Sequence, residues 1–391
     1  MIQYIRRLIP VKHYLKRKSL FLLGPRQTGK SSYIREELQE DIALFWNLLD
    51  GRLRMRVLAD PSLLSDEVAV RGLKDCLIVI DEIQKCPELL DEVHLLIEER
   101  NIRFLLTGSS ARKLRSGGVN LLGGRASQLF LHPLVYPEIH TSKDYFYTLD
   151  HIFTSGLLPA LYCSDQPEID LGDYVNVYLN EEIAAEGVTR KLPQFSRFLQ
   201  IAAMTNSQIL NYSNVASDVG VTRQAVKQWY EILIDTLIGF ELLPFLATKK
   251  RKAIQTAKFY FFDIGVARAL RNIPTPVEGM TEFGEFFEQY IAIELRAYLE
   301  YEQKRQELTY WRSTADHEVD FLIGTELAIE VKASSRISSK HLRGLQALKE
   351  ENIFTSFCIV CQEEHPRTLD GITIYPWKYF LDQLWSGKLI K

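Results

Sequence analysis

Cysteine is scarce in this chain: five in 391 residues, an odd number. No group of them shows zinc-ligand spacing with a second pair. The close pair Cys358-x-x-Cys361 overlaps a strand-like run from Phe354 to Val360, where residues three apart face opposite sides. Small buried thiols are expected, and the scarcity fits a reducing compartment, hence cytoplasm. Long hydrophobic runs are missing too. No stretch approaches the roughly 18 apolar residues that cross lipid as a helix, so no membrane partner is expected. The basic start (Arg6, Arg7, Lys12, Lys16, Arg17, Lys18) is broken by Pro10 and by its own charges, unlike a signal peptide. There is no excess of one sign of charge either, with 47 Lys and Arg against 50 Asp and Glu. Any pull toward nucleic acid must therefore come from local patches. At 46% hydrophobic and 25% charged, disorder is excluded as the main state.

What is present is a succession of different patterns, and at about 150 residues per domain the length predicts two or three domains. From Ser19 to about Ile139, short apolar runs (Ser19–Leu23, Leu77–Ile80, Phe104–Thr107) alternate with helix-patterned stretches. That alternation predicts an α/β domain, over residues 1–140, with a parallel sheet covered on both faces. Residues 141–275 read as mostly helical. Within them, Ser213 and Thr222 are placed to cap two helices across a turn at Gly220, a helix-turn-helix spacing. Two strand-like runs, Phe240–Leu246 and Phe259–Phe262, flank a basic stretch from Lys249 to Lys258, the pattern of a wing. After the Pro-containing linker Asn272–Pro276 comes a second α/β region, residues 276–391.

Gly24-Pro-Arg-Gln-Thr-Gly-Lys-Ser31 matches the P-loop pattern and lies between a predicted strand and a predicted helix. Gly24, Pro25, Arg26, Gln27, Thr28, Gly29, Lys30, Ser31 and Ser32 are thus the candidate nucleotide-binding residues. The glycines let backbone N–H groups curl around a phosphate, and the helix start adds its dipole. Lys30 is placed to reach the β- and γ-phosphates of ATP, and Ser31 to hold Mg²⁺. Leu77-Ile-Val-Ile-Asp-Glu82 ends a buried strand in two acids, at the edge where α/β sheets bind ligands. Asp81 is the candidate metal holder, and Glu82 the candidate base for the attacking water. Phe104–Ser110 is a further strand ending in hydroxyls. There Thr107 or Ser109 is either a sensor of the γ-phosphate or a turn cap. Arg125 is either a solvated surface residue or a charge supplied to a transition state, in its own or a neighbouring subunit.

In the last region, Glu318-Val-Asp-Phe-Leu-Ile-Gly-Thr-Glu-Leu-Ala-Ile-Glu-Val-Lys332 reads as a hairpin with a three-residue loop at 324–326. Asp320 then faces Glu330 with Lys332 beside them. Glu318, Asp320, Leu322, Ala328, Glu330 and Lys332 share one face, and the other face is the expected core. Opposed like charges are unfavourable, and a cation such as Mg²⁺ would relieve them. Glu288 in the preceding helix is a candidate third carboxylate, and Lys332 a catalytic candidate. The pattern resembles that of restriction-endonuclease-like PD-(D/E)xK proteins, although Val319 stands where their proline precedes the first acid. An active nuclease and a retained fold without cleavage both fit.

Taken together, the motifs resemble those of a prokaryotic family of AAA-like P-loop ATPases with a C-terminal domain of unknown function. The marks are Gly24-Pro-Arg-Gln-x-Gly-Lys, Asp81-Glu-Ile-Gln-Lys-x-Pro87, Leu106-Thr-Gly-Ser-Ser110, Leu122-Gly-Gly-Arg125, Glu318-Val-Asp-Phe and Glu330-Val-Lys332. The resemblance implies an AAA-type core, a winged helix and an endonuclease-like domain. It also implies the usual nucleotide roles for Lys30, Ser31, Asp81 and Glu82, with Arg125 as a finger. Ser31-Ser32 stands where Thr-Thr is common, and serine keeps the metal-binding hydroxyl. The functional expectation is Mg²⁺-dependent ATP hydrolysis acting on DNA, in a possible homo-oligomer, with a metal-dependent nuclease site as a further possibility. The alternative is a nucleotide-gated binding protein or regulator of DNA or protein in which neither site turns over.

Overall fold

In the computed structural model, which describes residues 4–110, 121–140, 147–179 and 192–390, Ser19–Leu23 forms β1, buried along its whole length. It lies between two parallel neighbours. The strands β2 (Ile42–Asn47), β3 (Leu77–Asp81), β4 (Arg103–Gly108) and β5 (Ala126–Phe130) complete a sheet in the order β2-β3-β4-β1-β5. Every pairing in it is parallel, so all five C-terminal ends share one edge. The sequence reading found β1, β3 and β4, the central strands. It missed β2 and β5, which lie at the two edges. Lys30–Tyr33 (α1) follows β1, and Leu89–Arg100 (α2) follows β3. Leu89, Val93 and Leu96 of α2 pack on Phe21, Ile78, Ile80, Phe104 and Leu106 of the sheet.

This sheet belongs to a compact unit made of Met1–Leu134, Leu158–Ala160 and Asp235–Ile238. The remaining residues make a second unit. In it, Leu192–Met204 (α3), Tyr212–Val219 (α4) and Arg223–Asp235 (α5) precede β6 (Gly239–Pro244) and β7 (Lys258–Phe261). Asn211 caps α4, accepting from the Asn214 N–H at 3.1 Å, in place of the expected Ser213. Thr222 caps α5 as expected, accepting from Ala225 N–H at 3.2 Å. Gly220, at φ 79°, makes the left-handed turn between them.

Ile264–Arg271 (α6) and the long Thr281–Tyr301 (α7) lead into β8 (Leu308–Arg312), β9 (Glu318–Ile323) and β10 (Leu327–Val331). Arg343–Lys349 (α8), β11 (Ser356–Cys361), β12 (Arg367–Leu369), β13 (Ile372–Pro376) and Trp377–Trp385 (α9) complete the unit. Its sheet has the order β12-β13-β11-β10-β9-β8-β6-β7. The pairing β6–β8 is parallel and crosses the linker drawn at residues 272–276. A buried amide pair reinforces this continuity. Asn206 Nδ2 donates to Gln289 Oε1 at 2.9 Å, Phe261 N–H donates to Asn206 Oδ1 at 2.8 Å, and Gln289 Nε2 donates to Phe261 O at 2.9 Å. Cys358 and Cys361 are buried free thiols on β11, and burial raises the pKa of both.

Helix α7 carries a buried acid with unusual surroundings. Glu294 accepts from Tyr136 N–H at 2.7 Å, Trp385 Nε1 at 2.8 Å and Tyr290 Oη at 3.1 Å. Burial pushes its pKa up to about 8 against these bonds. The folded protein therefore holds a proton that the unfolded chain releases near pH 4.5, so stability falls as pH rises from there toward about 8. We expect the thermal midpoint to fall between pH 5 and pH 8.5, and to fall less, by about 5 °C, in Glu294→Gln. Parallel pH profiles of the two proteins would refute this.

Candidate functional site

The shared edge of the first sheet gathers the nucleotide-type residues. The loop after β1 is held in a fixed shape. Gly29 takes φ 94°, and a side chain at Gly24 would come within 2.6 Å of the Leu131 carbonyl oxygen. Thr28 Oγ1 donates to Pro25 O at 2.8 Å across the loop. The Lys30 ammonium, buried, donates to the loop's own carbonyls at Gly24 (2.6 Å) and Pro25 (2.9 Å). Ser31 Oγ donates to Asp81 Oδ2 at 3.1 Å, which brings the two residues expected to share a metal into contact.

Strand β4 lies between β1 and β3, so its terminal hydroxyls fall between the loop and the acids. Thr107 Oγ1 donates to Asp81 Oδ1 and accepts from Glu82 N–H, the latter at 3.2 Å. Glu82 sits at φ 64°, ψ 46°, a left-handed backbone that a non-glycine side chain adopts at a cost. The bond to Thr107 holds it there. Gln84 Nε2 donates to the Glu82 carboxylate and to Ser109 Oγ, the latter at 3.1 Å. Thr107 and Ser109 therefore act on the acids, one directly and one through Gln84. The donor set of a serine hydroxyl and a carboxylate in contact is one that Mg²⁺ accepts readily, so these residues fit that ion.

Two members of this edge had no role assigned in the sequence reading. Gln84 stood within the Asp81-Glu-Ile-Gln-Lys-x-Pro87 mark, which gave it none. Arg7 lies outside the motif, yet its buried guanidinium donates to Thr28 O at 2.5 Å, His132 O at 2.7 Å and Pro133 O at 3.1 Å. It acts on carbonyls, which sequence does not display. Arg125 pairs with Glu98 of α2 at the surface, so within this chain its charge is directed at that carboxylate.

The hairpin β9–β10 has the expected register, with Ile323 opposite Leu327, Leu322 opposite Ala328 and Phe321 opposite Ile329. Its surroundings differ from expectation. Leu322 and Ala328 are buried with Leu342, Leu345 and Leu348, the last two from α8, so the acid-bearing face is itself part of a core. Asp320 Oδ2 accepts from Val331 N–H at 2.8 Å, and Lys332 Nζ lies 2.5 Å from Glu330 Oε1. The expected metal set of Glu288, Asp320 and Glu330 meets a lysine instead. Lys258 of β7 places its ammonium 3.1 Å from Glu288, 2.7 Å from Glu318 and 4.0 Å from Asp320. Tyr260 Oη also donates to Glu288, at 2.6 Å. Among the described residues, no group of three or more His, Cys, Asp or Glu is arranged to hold a metal ion. These residues do not fit the metal that the pattern implied.

The basic stretch that leads to Lys258 is also engaged. Backbone N–H groups of Lys249, Lys250 and Arg251 donate to the Glu351 carboxylate at 2.8, 2.9 and 3.0 Å. Arg251 pairs with Glu350 at 2.7 Å. The outward face of α5, by contrast, exposes Arg223, Gln224, Lys227 and Gln228 beside the exposed Thr222.

Comparison with known proteins agrees with the first sheet. Residues 16–140 match the model of an AAA domain. Residues 148–277 and 283–380 match two domains of unknown function. The chain therefore joins an N-terminal AAA domain to two domains of unknown function. Two uncharacterized proteins, from Mycobacterium bovis and Mycobacterium tuberculosis, are each 26% identical over 329 residues, 81% of this chain and 70% of theirs. Among solved structures, the Drosophila origin recognition complex bound to GC-rich DNA and Cdc6 aligns at 11% identity and TM-score 0.23, over 66% of this chain and 86% of that one. Can2 from Sulfobacillus thermosulfidooxidans, in complex with cyclic tetra-adenylate, aligns at 9% identity and TM-score 0.22, over 95% of this chain and all of its own. No helix among the described residues is long and apolar enough to cross a membrane.

The anchoring by Arg7 yields a test. Arg7→Ala removes a charged donor from three buried carbonyls and loosens the loop at Thr28. We expect the Kd for ATP to rise about tenfold, equal to about 1.4 kcal/mol, with the far-UV dichroism unchanged. An unaltered Kd in folded Arg7→Ala would show that the loop keeps its shape unaided.

Proposed function

We propose that this chain is a Mg²⁺-dependent ATPase whose nucleotide cycle acts on DNA. The observation that carries the reading is the contact of Ser31 with Asp81 beside the P-loop lysine, at 3.1 Å. Lys30 exchanges its loop carbonyls for the β- and γ-phosphate oxygens of the incoming nucleotide. Ser31 and Asp81 would hold Mg²⁺, which when bound would supply positive charge to the phosphates. Thr107 orients Asp81. Glu82 accepts the proton of the attacking water, and Gln84 fixes the direction of its carboxylate. The hold of Gln84 on Glu82 also favours a second reading, a nucleotide-gated regulator with little turnover.

Two substitutions test the site, and the second separates the readings. Lys30→Ala is expected to weaken ATP binding at least tenfold. Glu82→Gln is expected to leave binding intact and to slow phosphate release by roughly 10²–10⁴. If wild type and Glu82→Gln release phosphate equally slowly while both bind ATP, the gated regulator stands and the ATPase falls.

For DNA, the support is the helix-turn-helix with its exposed Thr222, Arg223, Gln224 and Lys227. The basic loop at 249–251 contributes less, because Glu350 and Glu351 already engage it. Lys227→Ala is expected to weaken duplex binding and to lower its salt slope by about one, whereas Lys250→Ala changes the slope little. Fluorescence anisotropy from about 50 to 200 mM salt measures both. Salt-insensitive binding, or none, would remove DNA from the reading.

A further inference from the structure

The acidic cluster of the second unit contains its own cation. Four carboxylates meet there: Glu288 from α7, Glu318 and Asp320 from β9, and Glu330 from β10. The Lys258 side chain is only 4% exposed. It reaches this group from β7, where Phe259, Tyr260 and Phe261 are also buried. Its ammonium lies over the Tyr310 ring, 5.4 Å from the ring centroid. Three carboxylates surround that ammonium within 4.0 Å. A solvated basic loop would point its lysines outward. Here the last basic residue of the stretch turns inward, at the place where opposed acids call for a cation. Arg312 takes the far side of Glu318 at 3.4 Å, and Lys332 takes Glu330. Glu330 Oε2 has no hydrogen-bond partner although it is buried.

We propose that Lys258 is the resident cation of this cluster, standing where a divalent metal would otherwise bind, and that wild-type protein therefore takes no divalent ion there. A metal brought to Glu288 and Asp320 would lie against the ammonium and be repelled by it. Removing the ammonium while keeping the stem takes the nearest cation from Glu288, Glu318 and Asp320, which is costly for largely buried carboxylates, and a divalent cation is then the available replacement. The inference is independent of the nucleotide reading.

The test compares Mn²⁺ binding, without nucleotide, in wild type, Lys258→Met, Asp320→Asn and Lys258→Met/Asp320→Asn, by electron paramagnetic resonance of free Mn²⁺ and by thermal midpoint. Wild type and Asp320→Asn are expected to bind Mn²⁺ alike. Lys258→Met is expected to bind one more ion than wild type. Its midpoint, lowered without metal, should rise with Mn²⁺, and the double substitution should abolish both gains. Wild-type binding that Asp320→Asn abolishes would overturn the proposal. So would a folded Lys258→Met without the additional ion. Should Lys258→Met fail to fold alone, refolding with millimolar Mn²⁺ is expected to restore it. Failure there, with Lys258→Arg folding normally, shows that no metal can replace the ammonium and also overturns the proposal.

Discussion

A charge buried in protein must be met by an opposite charge or by directed hydrogen bonds, at a cost of several kcal/mol per ion if it is not. Both units of this chain are arranged around that requirement. In the first, Lys30, Asp81 and Glu82 are each less than a tenth exposed, and each has a defined partner: loop carbonyls, the Ser31 and Thr107 hydroxyls, and Gln84. The parallel sheet makes this possible. With β4 between β1 and β3, Thr107 reaches the Asp81 carboxylate and the Glu82 N–H together. In the second unit the same requirement is met by Lys258 and Lys332 among four acids.

The two solutions differ in what they leave available. At the edge of the first sheet the partners are carbonyls and hydroxyls, neutral groups that a phosphate or a metal can displace or join. At the carboxylate cluster the partner is a full positive charge on a covalent stem. A neutral partner can be exchanged for a ligand. A tethered cation competes with any cation that arrives. The first edge is thus built for exchange and the second for retention, although both look from sequence like acid-and-lysine constellations.

That difference marks how far the sequence was legible. Strands β1, β3 and β4 were readable because central parallel strands are apolar on both faces, as in Leu77–Ile80. Edge strand β2 alternates and exposes Phe45, so its apolar run is diluted. Residues 24–31 stand out in sequence because their spacing matches a phosphate-binding pattern. Arg7 does not, and Gln84 appears only inside a family mark, since each works through atoms that many residue types could reach. The β9–β10 register followed from loop length, but the covering of Leu322 and Ala328 by α8 is a long-range contact that strand alternation cannot display. The linker at residues 272–276 was read from its prolines as a division, and one family model ends there and the next begins shortly after it. The β6–β8 pairing and the Asn206–Gln289 amide pair join the two sides across it. Local composition reports where a chain turns, not which strands it later pairs.

Lys258 shows the same limit at a single residue. In sequence it ends a basic run and reads as one more surface charge. Its direction is set by the burial of Phe259, Tyr260 and Phe261 and by the bridge between Ile209 and Lys258. Once turned inward it is held in its charged form. Burial works against the ammonium, but Glu288, Tyr260, Asp320 and Glu318 outweigh it and hold its pKa well above the usual lysine range. Lys258 also shares its strand with Phe261, whose backbone is fastened by both Asn206 and Gln289. One short strand thus carries both the cation of the cluster and the anchor of the buried amide pair, which ties the cluster to the stability of the unit as well as to its chemistry.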